Sequence, residues 1–414
     1  MKKSRTRKIL MINTAFSRGG AAKIVEALHN GLNRTSEFWS YFGYGSGPKM
    51  KNERTFRFAS QLEVYFHAFL TRMTGLQGYG SYLSTKQIEK FILQEKPDLI
   101  HLHNLHGYYL NLSFIKFLGR LNIPIIWTLH DGWPITGRCG YIFQCSRWKR
   151  GCGNCPNLSW YPKTYFDSSA FMWKKKKDYF TSKWNPVIVC PSQWLAEKIK
   201  GSYLNKFRIE VIPNGVDTEI FKPKNKIKIR EKLGIEPDQR VILIVATNLK
   251  EERKGAKYFF EALQFIKFKK CITVVIGSKV NNKMIKIPIK LKQLGYMSEQ
   301  SAISDVYNAA DVFCISSLED NFPSTVLESM ACGIPVVGFK VGGIPEQVTN
   351  SCGILVEPKD SRALAEALEK VITDEKTHRE FFSNCRKRAL DNYSINKFQD
   401  RYIKLYKSLL NKKQ

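Results

Sequence analysis

In the stretch "SLEDNFPSTVLESMACG", residues 317–333, Asp320 and Glu328 stand eight positions apart with no other charge between them. "DVFCIS" before them reads as a strand, "SLEDNFPS" as a loop and "TVLESMAC" as a helix stopped by Gly333. A helix that starts just past a strand's carboxyl end offers free N–H groups and a positive dipole end, which suits phosphate. An acid in that first turn would repel phosphate and accept sugar hydroxyls instead. Diphosphate on the amides with ribose on a carboxylate describes a nucleotide-sugar site. The competing reading is plainer: Thr325-x-x-Glu328 is a capping-box pattern, in which Glu328 serves a backbone N–H.

A second candidate is His130-Asp131, at the end of the apolar run "IPIIWTLHD", where α/β sheets place their ligands. A histidine there is as often a structural hydrogen-bonder as a catalytic group. A third is the set Cys139, Cys145, Cys152 and Cys155 in "CGYIFQCSRWKRGCGNCP". Four thiolates match the closed tetrahedral coordination of a structural zinc, and Arg138, Arg147, Lys149 and Arg150 would favour thiolates. The plainer accounts are four small buried residues or a redox CxxC pair.

The elements that must position these groups follow two similar plans. "KILMINTAFSRGGAAKIVEALHNGL" gives an apolar strand from Lys8 to Thr14, a Gly-Gly loop and a helix; "RVILIVATNLKEERKGAKYFFEAL" gives a strand, a basic loop and a helix. Continuous apolar runs ("DLIHLH", "PVIVCPS", "RIEVIPN", "ITVVIGS", "IPVVGF") alternate with helical patterns, as buried parallel strands do. The expectation is α/β: two Rossmann-like, doubly wound domains. Residues 1–221 form the first and 222–393 the second, with a last helix over 394–414 returning to the first. "FGYGSGPK" runs into Pro48 rather than a helix and is expected to be loop.

A chain of 414 residues is long for one core. Its net charge is +30, with 66 basic against 36 acidic residues, which implies an anionic partner. Between Leu99 and Phe166 the only acid is Asp131. Single runs such as "KKKK", Lys174 to Lys177, read as solvated faces. The excess is larger in residues 1–221, at +18, than in the remainder, at +12, and it accompanies aromatic segments such as "EVYFHAFLTRM". That combination points to an anionic membrane surface. The apolar part of the N-terminal stretch is short, interrupted by Asn13 and followed at once by Arg18. No apolar run approaches a membrane span, so a cytoplasmic protein held peripherally at the inner face of the membrane is expected.

The segment "EDNFPSTVLESMACGIPVVGFKVGGIPE" resembles the donor-site signature of glycosyltransferase family 4, whose fold is GT-B, two Rossmann-like domains facing across a cleft. "VIPNGVDTEIF" and "CGILVEPKDSRALAEALEKVI" are similar to adjoining parts of that family, and the resemblance spans nearly the whole chain. It implies retaining transfer of a sugar from a UDP- or GDP-linked donor, without a catalytic metal. It puts the family's acid pair on Asp320 and Glu328, Asp320 being a departure from the usual Glu. The same segment carries Asn321, Phe322, Pro323 and Ser324 to the donor. Lys254, with Arg253 beside it, falls among the bases that hold the diphosphate, and Gly19 and Gly20 match the glycine loop of the N-terminal half. His130 would meet the transferred sugar, with Asp131 orienting that ring or receiving acceptor groups. "HLHNLHGYYLN" is similar to acceptor-side regions of polysaccharide enzymes and brings in His103 and Asn104. "HDGWPITGRCGYIFQC…GCGNCP" looks like the branch that builds colanic-acid-type capsule and exopolysaccharide, whose acceptors are saccharides, here expected on a lipid diphosphate. Two other classes stay open: a sugar-nucleotide epimerase on the same fold, and a basic, zinc-containing nucleic-acid-binding protein. The second explains the charge but not two strand–loop–helix phosphate sites, so no nucleic acid is expected.

Overall fold

The computed structural model describes residues 5–17, 19–50, 52–278 and 288–411. Arg18, and residues 412–414 of the expected last helix, lie outside them. Among the described residues the strands form two sheets, and every pairing is parallel.

The first sheet is built from β1 (Arg7–Ala15), β2 (Phe38–Ser46), β3 (Thr55–Arg57), β4 (Leu99–Leu102), β5 (Ile125–Thr128), β6 (Val187–Cys190) and β7 (Ile209–Val211), in the order β3-β2-β1-β4-β5-β6-β7. The second contains β8 (Arg240–Ala246), β9 (Cys271–Gly277), β10 (Lys290–Gly295), β11 (Val312–Ile315), β12 (Val336–Phe339) and β13 (Gly353–Val356), in the order β10-β9-β8-β11-β12-β13. β4, β5, β6, β11 and β12 are buried at every position. Helices cover both faces of a parallel sheet, which is why these strands read as unbroken apolar runs. Each buried Val, Leu or Ile contributes about 1.5–3 kcal/mol. In each sheet the strand order reverses direction at one place: between β1 and β4, and between β8 and β11.

The chain divides into two compact units, one of residues up to Pro213 together with those from Gln399 on, the other Asn214–Phe398. The composition shift used to place a boundary at 221 lies later than this division. Residues 214–221 belong to the second unit, because Val216 accepts from the Ile395 N–H and donates to the Tyr393 carbonyl, both at 2.8 Å. From residue 399 the last helix, Ile395–Leu410, joins the first unit. Its Tyr402 and Tyr406, one turn apart and buried, reach Thr128 and His101 at 2.9 and 2.7 Å.

Two local expectations fail. "FGYGSGPK" is not all loop: residues 42–46 finish β2. The glycines stay small because packing needs them small. A Cβ on Gly45 would lie 2.3 Å from that of Tyr109, and one on Gly43 3.3 Å from Phe56. Nor is "KKKK" wholly solvated, since Lys176 is completely buried. It donates to the Trp133 carbonyl and sits 4.0 Å over that indole, and burial lowers its pKa to about 7.

Candidate active site

In the second unit the loops after β8 and β11 leave the sheet side by side, where the strand order reverses and α/β sheets bind ligands. They are stitched together: the Leu318 N–H donates to the Arg253 carbonyl at 2.7 Å, and the Ser316 hydroxyl to the Lys254 carbonyl at 2.9 Å. Gly255, at φ 60°, permits this approach, since a Cβ there would strike the Ser316 carbonyl. Arg253 and Lys254 therefore converge on one oxygen, Asp320 Oδ2, at 3.1 and 2.8 Å. Arg253 also donates to the Glu319 carbonyl at 3.1 Å and to Glu251 at 2.9 Å. Burial alone would raise the Asp320 carboxyl, but the Lys254 and Arg253 charges hold it below the ordinary range. Asp320 is thus the anion that aligns two cations.

The loop carrying Asp320 is anchored from several sides. Gly342, at φ 58°, packs so close to the Asp320 carbonyl that no Cβ fits, and the Gly343 N–H donates to that carbonyl at 3.1 Å. Asn214 donates to the Phe322 carbonyl and Gln347 to the Pro323 carbonyl, each at 3.1 Å. Asn321 is buried, and the Phe322 ring packs edge-on against Tyr393. Helix Ser324–Ala331 then begins with Pro323 as its cap and has neither a side-chain cap nor an acid in its first turn. This corrects the capping-box expectation and the placement of Glu328 in the first turn. Thr325 lies inside the helix rather than at its cap, and Glu328 is its fifth residue. Glu328 is buried and accepts from the Tyr307 hydroxyl at 3.2 Å. Tyr307 also donates to the Thr325 carbonyl at 3.1 Å, and burial beside the Glu328 charge pushes its phenol pKa well up. Nothing in the sequence singles out Tyr307, one tyrosine among eighteen.

The first unit repeats the stitch at its own reversal point. At the carboxyl end of β1 the Thr14 hydroxyl reaches the carbonyls of Asn104 and His106, just beyond β4. Gly19 follows at φ 83° and Gly20 opens helix Gly20–Asn33. Beyond β4 and β5, His103 Nδ1 and His130 Nε2 are hydrogen-bonded at 3.0 Å, their rings stacked. Behind them His101 bonds Tyr406 and Thr128, each at 2.7 Å. Burial lowers the pKa of His130 to about 4 and of His101 to about 3, and that of His103 falls well below its ordinary value. All three are neutral imidazoles at physiological pH.

The Asp131 charge acts on the neighbouring His130 ring as well as on His106. Asp131 bonds His106 Nε2 at 2.9 Å and accepts from the Trp133 N–H at 2.9 Å. Burial would raise its carboxyl, but His106 and the Trp133 amide hold it low. His106 was legible only as a third histidine in "HLHNLHG". The Trp133 indole donates to Gln77, fixing the turn that carries Asp131.

Cys139, Cys145, Cys152 and Cys155 line one cavity of about 30 Å³, room for a single water or ion. Arg138, almost fully buried, donates to the carbonyls of Asn157, Leu158 and Trp160 and lies 3.8 Å from the Cys155 sulfur. Cys155 is lowered to about 6, chiefly by a hydrogen bond from Cys139, whose own thiol is pushed up. Among the described residues, however, no three His, Cys, Asp or Glu side chains are grouped as a bound metal requires. Cys152 accepts from the Gly137 N–H at 3.1 Å, and Cys155 is hydrogen-bonded to Cys139.

Two parallel sheets, each with a stitched pair of loops at its reversal point, are the two Rossmann-like domains of the GT-B fold. HepE from Anabaena, solved in complex with UDP-glucose, shares this fold with a TM-score of 0.68 at 17% identity, over 97% of this chain and 99% of its own. The chain belongs to glycosyltransferase family 4: residues 18–220 match the model described as Glycosyltransferase Family 4, and residues 225–388 that described as Glycosyl transferases group 1. The glycosyl transferase WcaC of Escherichia coli K12, named for colanic acid biosynthesis, is 24% identical over 425 residues, 97% of this chain and 100% of its own. A UDP-Gal:alpha-D-GlcNAc-diphosphoundecaprenol alpha-1,3-galactosyltransferase of Escherichia coli is 27% identical over 334 residues, 77% of each chain. Among the described residues no helix is long and apolar enough to cross a membrane.

Proposed function

We propose that this glycosyltransferase moves a sugar, with retention at its anomeric carbon, from a UDP- or GDP-linked donor to a saccharide on a lipid diphosphate. The setting would be surface-polysaccharide synthesis at the inner face of a bacterial membrane. The observation that carries the reading is the convergence of Arg253 and Lys254 on Asp320, beside a helix start that lacks a capping side chain. Two aligned cations and free helix amides offer diphosphate a preorganised site and stabilise it further as it leaves with added charge. In this reading Asn321, Phe322, Pro323 and Ser324 line the donor loop, Glu328 accepts donor hydroxyls, and Gly19 and Gly20 approach the same substrate. His130 hydrogen-bonds the transferred sugar as a neutral imidazole, and Asp131, His103 and Asn104 serve the acceptor. The bond from the anomeric carbon to diphosphate oxygen breaks as that to the acceptor oxygen forms. The acceptor hydroxyl's proton passes to the leaving diphosphate. The relatives named for colanic acid and for a diphosphoundecaprenol acceptor support the choice of acceptor.

The test is incubation with UDP- and GDP-sugars, with and without a polyprenyl-diphosphate saccharide, followed by NMR of the product. Retained configuration in an acceptor-dependent product is expected. Inversion would sink the mechanism, and donor isomerised without acceptor would reveal an epimerase.

For the cysteine loop we propose one structural zinc, on the four thiols sharing a cavity with cations nearby. Binding would draw the sulfurs inward and pin the loop that follows His130, supplying no chemistry. Metal analysis of untagged protein should find close to one zinc per chain, with Cys152→Ser losing it. Four freely titrating thiols and no metal would remove the proposal.

A further inference from the structure

Helix Gln61–Thr74 is built inside out. Its apolar residues Leu62, Tyr65, Phe66, Phe69 and Met73 recur at three- and four-residue spacing, the pattern of a core-facing stripe. Yet they are the exposed residues: Leu62 is 80% exposed and Tyr65, Phe66 and Phe69 each 62%. The face turned inward carries His67 and Thr71, both buried. His67 bonds the Ser81 hydroxyl at 3.1 Å and accepts from the Gly78 N–H at 2.8 Å, so the helix cannot be rotated by half a turn without breaking buried bonds.

The stripe continues onto a second segment. The Tyr165 N–H donates to the Arg72 carbonyl at 2.9 Å, which lays Tyr165 and Phe166, 56% and 63% exposed, along the end of the helix. Phe171 meets Tyr79 at 6.2 Å, both exposed. More than half of the exposed large apolar side chains among the described residues fall in 62–83 and 165–171. Isolated exposed apolar residues are ordinary, but a contiguous patch marks an interaction surface.

Charge decides the occupant. Arg72 lies over Tyr165 and Lys175 over Phe171, so cations rim the aromatic rings, while Lys86, over Tyr82, is paired with Glu89 at 2.7 Å. The two acids on these segments are turned to backbone: Glu63 accepts from the amides of Leu83 and Ser84, Asp167 from those of Cys155 and Ser169. A second copy would bring like-charged rims together in a chain of net charge +30. An anionic bilayer offers an apolar interior to the rings and lipid phosphates to the rim.

We propose that helix Gln61–Thr74, with the segment Tyr165–Phe171, is a membrane-docking face that inserts its rings into anionic bilayers. This rests on the reading of the acceptor as lipid-linked and names the surface that brings the enzyme to it.

The experiment is flotation of the full chain with phosphatidylglycerol vesicles and with phosphatidylcholine vesicles, at low and high salt. Wild type should float with the anionic vesicles at least tenfold more than with the neutral ones, less so at high salt. Phe66→Ser with Phe69→Ser should lower anionic-vesicle affinity tenfold or more while keeping the melting temperature and nucleoside-diphosphate affinity. Wild type that stays behind at low salt, or a double variant that floats equally well, would overturn the proposal. So would concentration-dependent dimers that the double variant abolishes, since a second copy would then own the face. Flotation is independent of transfer: an enzyme that floats but never glycosylates a lipid-linked acceptor refutes the functional reading and leaves this surface standing.

Discussion

The two units use one topological device to opposite electrostatic ends. Each brings two loops together where its parallel sheet reverses order, and each stitches them by hydrogen bonds to backbone carbonyls. In the second unit the stitch assembles an ion-paired cluster, Arg253 and Lys254 on Asp320, with Glu328 one helical turn beyond the loop. In the first it assembles neutral rings, His101, His103 and His130, whose charge burial suppresses. Diphosphate needs fixed charge. Sugar hydroxyls need donors and acceptors that stay put, and a buried neutral imidazole offers one of each.

That contrast breaks most visibly at His130. His130→Ala should lower turnover about a hundredfold while leaving nucleoside-diphosphate affinity within twofold, the scale expected when one positioned polar group is lost at the reacting centre. Stopped-assay kinetics beside calorimetric binding separate the two. Equal losses in both would place His130 at the diphosphate instead.

Acid should separate the units next. His29, His67 and His130 are lowered to about 4 and His101 to about 3, all by burial and all in the first unit. The unfolded chain protonates them below about pH 6.5, so unfolding takes up protons and first-unit stability falls as pH drops from about 6.5 toward 4. Each adds up to about 1.4 kcal/mol per pH unit. In the second unit one histidine, His378, is lowered, whereas Asp311 and Asp320 are held below 3.8. The stability these carboxylates give is intact above about pH 4 and lost only below it. All eight tryptophans lie between residues 39 and 194, so their fluorescence reports the first unit alone. The urea midpoint by fluorescence should fall more between pH 7 and pH 5 than the midpoint of the remaining far-UV transition. Parallel shifts would contradict the division of charge.

Within the second unit, Glu328→Gln should cost about tenfold in transfer, since a hydrogen bond to a charged group is worth roughly 1.5–3 kcal/mol. Tyr307→Phe, which removes only the hydroxyl that orients Glu328, should cost about threefold and leave the melting temperature nearly unchanged. A variant pair with these sizes reversed would make Tyr307 the ligand and Glu328 its support.

The charged site was largely legible in the sequence and the neutral one only in part. Asp320 and Glu328 stand out because nothing charged lies between them, and the apolar runs around them announce parallel strands. Even so, the capping-box pattern misplaced the helix start, because Pro323 takes the cap through backbone geometry alone. Histidines are harder to read, since their role depends on which neighbour the fold supplies. His106 becomes the partner of Asp131 only through the β4 and β5 loops. Residues 42–46 looked like loop because glycine marks a turn as readily as a strand packed tightly against Tyr109. The segment "EVYFHAFLTRM" stood out in the sequence as aromatic, but the direction in which it faces did not. Its rings face outward while His67 finds buried partners on the other side, beside Thr71 and Val64.

The central claim, that the second unit holds the donor through its aligned cations, is tested most directly by calorimetric titration of UDP and GDP into wild type, Lys254→Ala and His130→Ala. The account predicts that one of the two nucleotides binds, that Lys254→Ala weakens it tenfold or more, and that His130→Ala leaves it within twofold. Unchanged affinity in Lys254→Ala, with the protein folded, would contradict it.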